Sequence, residues 1–352
     1  MAFIRILPRF CMAFGLAAIF ALTPNEGQAQ NVEDGIIKNS NRSGHGLSSW
    51  SQKSNNNRAL TIQKDGGLRE PNGKLKIEYY GHMAFKLTSP RGITVVVDPW
   101  RNDPSGVWGV WYKQNLPFIK ADVGLSTHAH FDHDALTSLD SIMLLDRMGG
   151  KWEFGDVKIT GIVDKHICKI MGKLEWVKIV EQVEGYPVCP PNNPTQWDNV
   201  MYVIDLGGFK VFHSGDNRPD KPESAYKMIG TDIDVMIQAV DDSGHIFDHV
   251  SVDKLAKRMG ANVIIPGHYR IDKVTNPEST LEAADKYVFN GHPNNHTLVK
   301  KGEIELTKKD LAGKKGHVMF FRNNTKLPIW TPPEGSDEYG DYAPGFYLTK
   351  RK

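Results

Sequence analysis

The sequence predicts a layered α/β domain. Apolar runs of strand length recur along the chain, stretches with helical apolar spacing lie between them, and both tight hairpin turns and longer crossovers join the runs. Leu75 to Leu87 and Ile93 to Val97 read as two strands joined by the turn Ser89-Pro90-Arg91-Gly92. A loop dense in Trp, Gly and Pro follows, from Trp100 to Pro117. Val123 to Ser126 reads as a short buried strand, and Ala135 to Met148 as a helix with apolar residues at helical spacing. Val157 to Val163 is the next strand, and Val200 to Asp205 and Phe209 to His213 form a hairpin across Gly207-Gly208. Ile233 to Val240 is a strand, Val252 to Met259 a helix stopped by Gly260, and Val263 to Ile265 a strand. One domain over residues 72–325 accommodates these elements.

Both ends read differently. Arg5 and Arg9 precede an apolar run from Phe10 to Leu22, and Gly27-Gln28-Ala29 supplies small residues beyond it, so residues 1–29 are expected to be a secretory signal peptide and the protein to be exported, periplasmic or secreted. The run is too short for the roughly 20 apolar residues of a bilayer span, so no stable membrane span is expected after cleavage. Residues 30–71, rich in Asn, Ser and Gly, read as a flexible leader, and residues 326–352, rich in Pro and Tyr, as an extended tail. Of the three cysteines, Cys11 falls within the signal, which leaves Cys168 and Cys189; spacing alone does not decide whether they pair. A net charge of +2 over 352 residues gives no electrostatic case for a nucleic-acid partner.

The chemistry concentrates in Ser126-Thr127-His128-Ala129-His130-Phe131-Asp132-His133-Asp134. Three imidazoles and a carboxylate fall within six residues, directly after a buried strand. Residues two apart in an extended segment face the same way, so His128 and His130 can bind one ion, while Asp132 and His133 can face a second. Histidine and carboxylate ligands suit zinc, with manganese or iron as alternatives.

These residues resemble the His-x-His-x-Asp-His signature of metallo-β-lactamase-fold hydrolases. The resemblance implies an αβ/βα four-layer sandwich with two mixed β-sheets between helices, and further ligands at later strand ends. His166 would complete the set His128, His130 and His166 on one ion; His268, in Pro266-Gly267-His268, would join Asp132 and His133 on the other; Asp216, in His213-Ser214-Gly215-Asp216, would lie between the two. The segments Tyr79-Tyr80-Gly81-His82, Val97-Asp98-Pro99-Trp100 and Pro266-Gly267-His268-Tyr269 are similar to the branch that includes L-ascorbate-6-phosphate lactonase and N-acyl-phosphatidylethanolamine phospholipase D.

The implied activity is hydrolysis of an ester, lactone or phosphodiester, in a small-molecule or lipid-like substrate, by hydroxide generated from water between two divalent ions, with Asp132 as ligand and catalytic group. His82, His213 and His245 are expected behind the ligands or toward substrate. His249 is a weaker candidate of the same kind. Arg218, Lys221 and Arg270 could meet an anionic group, and Trp100, Trp108, Trp111 and Tyr112 are either a rim over the site or packing. Competing readings are a dedicated β-lactam hydrolase, a di-iron reductase, a nuclease and a non-catalytic metal-binding relative. The reductase would carry a carboxylate where this chain has His130, and the nuclease would want an inserted domain before the last ligands.

Overall fold

The protein is described by a computed structural model covering residues 32–33, 36–37, 65–103, 110–167, 182, 197–244, 246–276 and 279–328. The expected signal peptide, Trp108, Cys168, Cys189, His245, most of the leader and nearly all of the tail lie outside the described residues. The chain divides into a unit Met1–Thr61 and a unit Ile62–Lys352. In the first, Val32–Glu33 (β1) and Ile36–Ile37 (β2) pair antiparallel.

The second unit is built on two mixed sheets. One contains Leu75–Tyr79 (β3), Phe85–Thr88 (β4), Thr94–Val97 (β5), Ile119–Ser126 (β6), Leu139–Asp146 (β7) and Glu303–Leu306 (β15), in the order β15-β3-β4-β5-β6-β7. The other contains Gly150–Phe154 (β8), Val157–Asp164 (β9), Asn199–Leu206 (β10), Phe209–His213 (β11), Val235–Ala239 (β12), Val263–Gly267 (β13), His296–Leu298 (β14) and His317–Phe320 (β16), in the order β14-β16-β13-β12-β11-β10-β9-β8. From β11 to β14 this sheet is parallel, and from β8 to β11 antiparallel. The central parallel strands are apolar along nearly their whole length: every residue of β12 and β13 is buried, as strands covered on both faces must be.

The parallel neighbours β11–β12 and β12–β13 are joined by helical crossovers. Glu223–Ile229 (α1) lies between β11 and β12, and His249–Arg258 (α2) between β12 and β13. Helix α2 starts where the Asp248 side chain accepts from the Ser251 amide at 2.8 Å, and it buries Val252, Leu255 and Ala256. Gly260, at φ +62°, follows its end, as the left-handed stop requires.

Two expectations fail. Leu75 to Leu87 is not one strand but the antiparallel pair β3 and β4, folded at Tyr80–Ala84, where Gly81 and His82 take φ +89° and +54°. Ala135 to Met148 is not a helix: a single 3-10 turn, Leu136–Ser138, leads into β7. The apolar run Ile142 to Leu145 fits either period, and long-range parallel pairing to β6, from Ile119↔Leu139 to Ser126↔Asp146, decides for strand. Strands β8, β14, β15 and β16 and helix α1 were not read from the sequence; they are short or half-exposed, and their apolar pattern is correspondingly weak.

One buried core contains residues of both sheets. Tyr202 of β10 ties them directly: its hydroxyl lies 3.1 Å from the Ser126 carbonyl of β6 and 3.4 Å from that of Leu145 of β7, and it accepts from the Met148 amide at 3.3 Å. Tyr202→Phe keeps the ring and removes this link, so chemical denaturation should show a loss of about 1–3 kcal/mol of stability. An unchanged midpoint would mean the sheets do not depend on it.

Candidate metal centre

Strands β9 and β11 are each antiparallel to β10, and β12 and β13 run parallel to β11, so all four end at one edge of the eight-stranded sheet. Just past that edge lie His166 after β9, Asp216 after β11 and His268 after β13. Strand β6 of the other sheet ends at the same place and releases Thr127 to Asp134; the β3–β4 turn adds His82, and the end of β5 adds Asp98.

The seven residues singled out as ligands come together. Three groups form, within each of which one ligand atom per residue lies within 4.8 Å of the others: His128, His130 and His166; His82, Asp132, His133 and His268; and His128, His133 and Asp216. The third group takes His128 from the first and His133 from the second, and adds Asp216. Asp216 Oδ2 lies 3.1 Å from Nε2 of His268, 3.4 Å from that of His133, 3.6 Å from that of His166 and 3.9 Å from that of His128. Asp132 Oδ2 lies 3.4 Å from His133 Nε2 and 3.5 Å from His268 Nε2. Between the first two histidines, His128 Nε2 and His130 Nδ1 are 3.0 Å apart.

This packing depends on Gly215. A Cβ there would come within 2.5 Å of the Thr127 hydroxyl and 2.8 Å of the Asn199 side-chain oxygen, and its φ is +53°. Glycine lets the β11 loop press against the β6 loop and bring Asp216 to the histidines.

Asp98, which the sequence marked only as part of a motif, organises the centre from behind. Its Oδ2 accepts from His133 Nδ1 at 2.8 Å and from the Thr127 hydroxyl at 2.8 Å, and its Oδ1 accepts from the Thr127 amide at 2.8 Å. Because the Thr127 proton points at Asp98, the 3.0 Å contact between Thr127 Oγ1 and His128 Nδ1 places the proton on His128 Nδ1. His166 Nδ1 donates to the Ile167 carbonyl at 2.9 Å. In the neutral imidazole each of these bonds fixes the tautomer whose Nε2 lone pair is aimed into the centre. The signal that could have found Asp98 is an acidic residue directly after β5, whose residues are all buried.

The site's electrostatics call for a cation. Burial pushes the Asp132 and Asp216 carboxyls up, but the surrounding histidines outweigh it and hold both well below the ordinary carboxylate range. Burial likewise disfavours charge on His133 and His268, yet Asp216 and Asp132 outweigh it; His133 is held well above its ordinary value and His268 is raised to about 9. Burial, with neighbouring histidines, lowers His128 well below its ordinary value and His130 to about 3. His133 Nε2 and Asp216 Oδ1 are buried with no hydrogen-bond partner. Converging imidazole lone pairs, carboxylate oxygens and orphaned polar atoms fit divalent cations bound by nitrogen and oxygen.

The remaining expected residues scatter. His213 lies beneath the centre: its Nε2 donates to the Met83 carbonyl at 3.1 Å, and its Nδ1 accepts from the Gly215 amide at 3.3 Å, so it braces the Asp216 loop. His82 is in the second group itself, 2.8 Å from Asp132. His249 points to the Asp241 carbonyl instead. Arg218 is held by Asp164 at 2.9 Å, buried Lys221 donates to the Arg218 carbonyl, and Arg270 lies near Asp272 and Glu282. Trp100, Trp111 and Tyr112 are buried, with Trp100 stacked on Tyr112 at 4.0 Å, so these three form a packed wall and not an exposed rim.

Residues 76–268, more than half of the chain, match the family model described as "Beta-lactamase superfamily domain". The chain belongs to that superfamily. Two relatives are each named "UPF0173 metal-dependent hydrolase": one from Myxococcus xanthus, 25% identical over 56% of this chain and 71% of its own length, and one from Thermodesulfovibrio yellowstonii, 25% identical over 61% and 85%. A solved structure from Thermotoga maritima, assigned to the Zn-dependent hydrolases of the metallo-β-lactamase superfamily, is 23% identical with a TM-score of 0.47, over 70% of this chain and 97% of that one. The two mixed sheets of this member of the superfamily are those of the metallo-β-lactamase fold.

Two predictions follow from the electrostatics of the centre. A metal ion needs His268 neutral, whereas without metal it stays protonated up to about pH 9, against an ordinary value of 6.5. Metal binding near pH 7 should therefore release protons, and affinity should rise with pH toward 9. Titration calorimetry in buffers of different ionisation enthalpy checks this, and proton uptake would contradict it. Asp98→Asn should weaken metal binding about 10–100-fold by removing the negative charge behind His133 and replacing one of the two accepting oxygens with a donor, as read by chelator competition.

Proposed function

We propose that this metal-dependent hydrolase of the β-lactamase superfamily is binuclear, with one ion held by His128, His130 and His166, the other by Asp132, His133 and His268, and Asp216 between them. The observation that carries this reading is the placement of Asp216 Oδ2 within 3.9 Å of four imidazole nitrogens drawn from both donor sets. Divalent ions bound there supply Lewis-acid polarisation and a water acidic enough to act as nucleophile near neutral pH.

The chain's own residues do the rest. Asp132 and Asp216 stay ionised at any working pH, so they bind and orient cations and do not act as general acids. Asp98, Thr127 and the Ile167 carbonyl hold His133, His128 and His166 in the tautomers that present Nε2. The aromatic wall of Trp100, Trp111 and Tyr112 keeps water from the back of the site.

The substrate we propose is an ester or lactone in preference to a phosphodiester. What supports this ranking is that Arg218, Lys221 and Arg270 are each engaged by groups of the chain itself. Half-buried Phe131, packed on the wall at Trp111 with ring centroids 5.1 Å apart, stands beside Asp132 and suits an apolar substituent.

Elemental analysis of the purified chain should give close to two transition-metal ions per molecule. Chelation should stop hydrolysis, and zinc, manganese or iron should restore it. Asp132→Ala should lower turnover by at least about 10³-fold, since its group acts as a unit with its partners, while the circular dichroism spectrum stays native. Unchanged turnover in that variant would remove the centre from the chemistry. A screen of aryl esters, lactones, phosphodiesters and nitrocefin ranks the substrates, and nitrocefin turnover above that of the esters would reverse the ranking.

A further inference from the structure

His82 shares a donor group with Asp132, His133 and His268, yet its surroundings differ from those of His128, His133 and His166. His133, His128 and His166 each present Nε2 to the centre and give the Nδ1 proton to an acceptor behind: Asp98, Thr127 and the Ile167 carbonyl. His82 has no such support. Its Nδ1 is buried without a hydrogen-bond partner, while its Nε2 lies 2.8 Å from Asp132 Oδ2. If Nε2 were a metal ligand, the proton would sit on Nδ1, a buried donor with nothing to receive it. A carboxylate only accepts, so the short contact places the proton on Nε2 instead.

Resting on the binuclear reading above, we infer that His82 is a positioning residue, not a ligand: its Nε2–H holds Asp132 Oδ2 in place for the second ion. Geometry singles this residue out twice. It sits in the β3–β4 turn at φ +54°, a conformation uncommon outside glycine, and its ring is buried against the centre. The His82 carbonyl accepts from the His268 amide at 3.0 Å and from the Tyr79 hydroxyl at 3.3 Å. One turn thus fixes the backbone of one proposed ligand of the second ion and the side chain of another. The His82 ring packs 4.1 Å from that of His268 and 5.1 Å from that of His133, which leaves it little room to swing.

The test compares His82→Gln with His82→Leu in the full chain. Glutamine can place an N–H donor near the position of Nε2 but is a poor metal ligand; leucine offers no donor. Both meet the same backbone strain, so their difference isolates the hydrogen bond. Each chain is loaded with Zn²⁺ alone and titrated against a competing chelator, with ions counted by elemental analysis and folding checked by circular dichroism. The wild-type and Gln chains should hold two ions with similar affinities. The Leu chain should keep the ion at His128, His130 and His166 and bind the second about 10–100-fold more weakly, as loss of a group that orients a ligand does. Equal weakening in Gln and Leu would overturn the inference, because a ligand or a merely space-filling ring would behave that way; so would unchanged binding in Leu. If the Leu chain does not fold, the Gln chain decides alone, its loss of the second ion overturning the assignment. Fewer than two ions in the wild type would sink the binuclear reading itself, and the role given to His82 with it.

Discussion

Two ionised carboxylates buried side by side set the terms for the rest of this molecule. Asp132 and Asp216 are 5% and 2% exposed, and an uncompensated carboxylate at such depth is costly. Positive charge has to stand beside them in every folded state. Without metal, protons on His133 and His268 provide it; with metal, the ions would take over that task and the imidazoles would become neutral ligands. The crowding of His82, His128, His130, His133, His166 and His268 around two acids is unfavourable as packing and hydrogen bonding alone. It makes sense as a nest of donors whose mutual repulsion and desolvation a cation relieves.

The backbone bears the corresponding strain. Five described residues other than glycine have positive φ, and three of them, His82, Asp98 and His268, stand at this centre. Such conformations collect where the surrounding structure over-determines them. Here each has a restraint in view. Asp98 is fixed by its bonds to Thr127 and His133, and the His82 carbonyl receives the His268 amide, so one strained residue restrains another. The rigid strands behind them, β5, β13 and the β3–β4 pair, hold the loops against relaxation.

The dense motif His128 to His133 was legible because metal chemistry requires particular residue types at short spacing. The later residues His166, Asp216 and His268 were legible by order and by their place after apolar strands, together with the family likeness. Strand β7 was misread because Leu136, Leu139 and Met143 satisfy a helical period while Leu139, Met143 and Leu145 also satisfy an alternating one. Only pairing with β6, a long-range contact, separates the two. The role of Asp98 was illegible for a similar reason, and His82, though expected behind the ligands or toward substrate, was not tied to Asp132. A carboxylate after a strand and a histidine in a turn are common; what distinguishes these is a partner 35 residues away for Asp98 and 50 for His82.

The two donor groups are not equivalent, and the difference follows from what stands behind each. His128 and His166 are backed by neutral acceptors, a hydroxyl and a carbonyl, and His130 is only partly buried. His133 is backed by the Asp98 carboxylate, which makes its Nε2 a stronger electron donor. It also has Asp132 beside it. The second group therefore carries more negative charge, lies deeper and draws on both sheets: Asp132 and His133 from the β6 loop, His268 from β13, with the β3–β4 turn bracing them. The first group opens toward solvent on the His130 side. One donor group is therefore tightly walled and the other more open, with the Asp216 carboxylate near histidines of both.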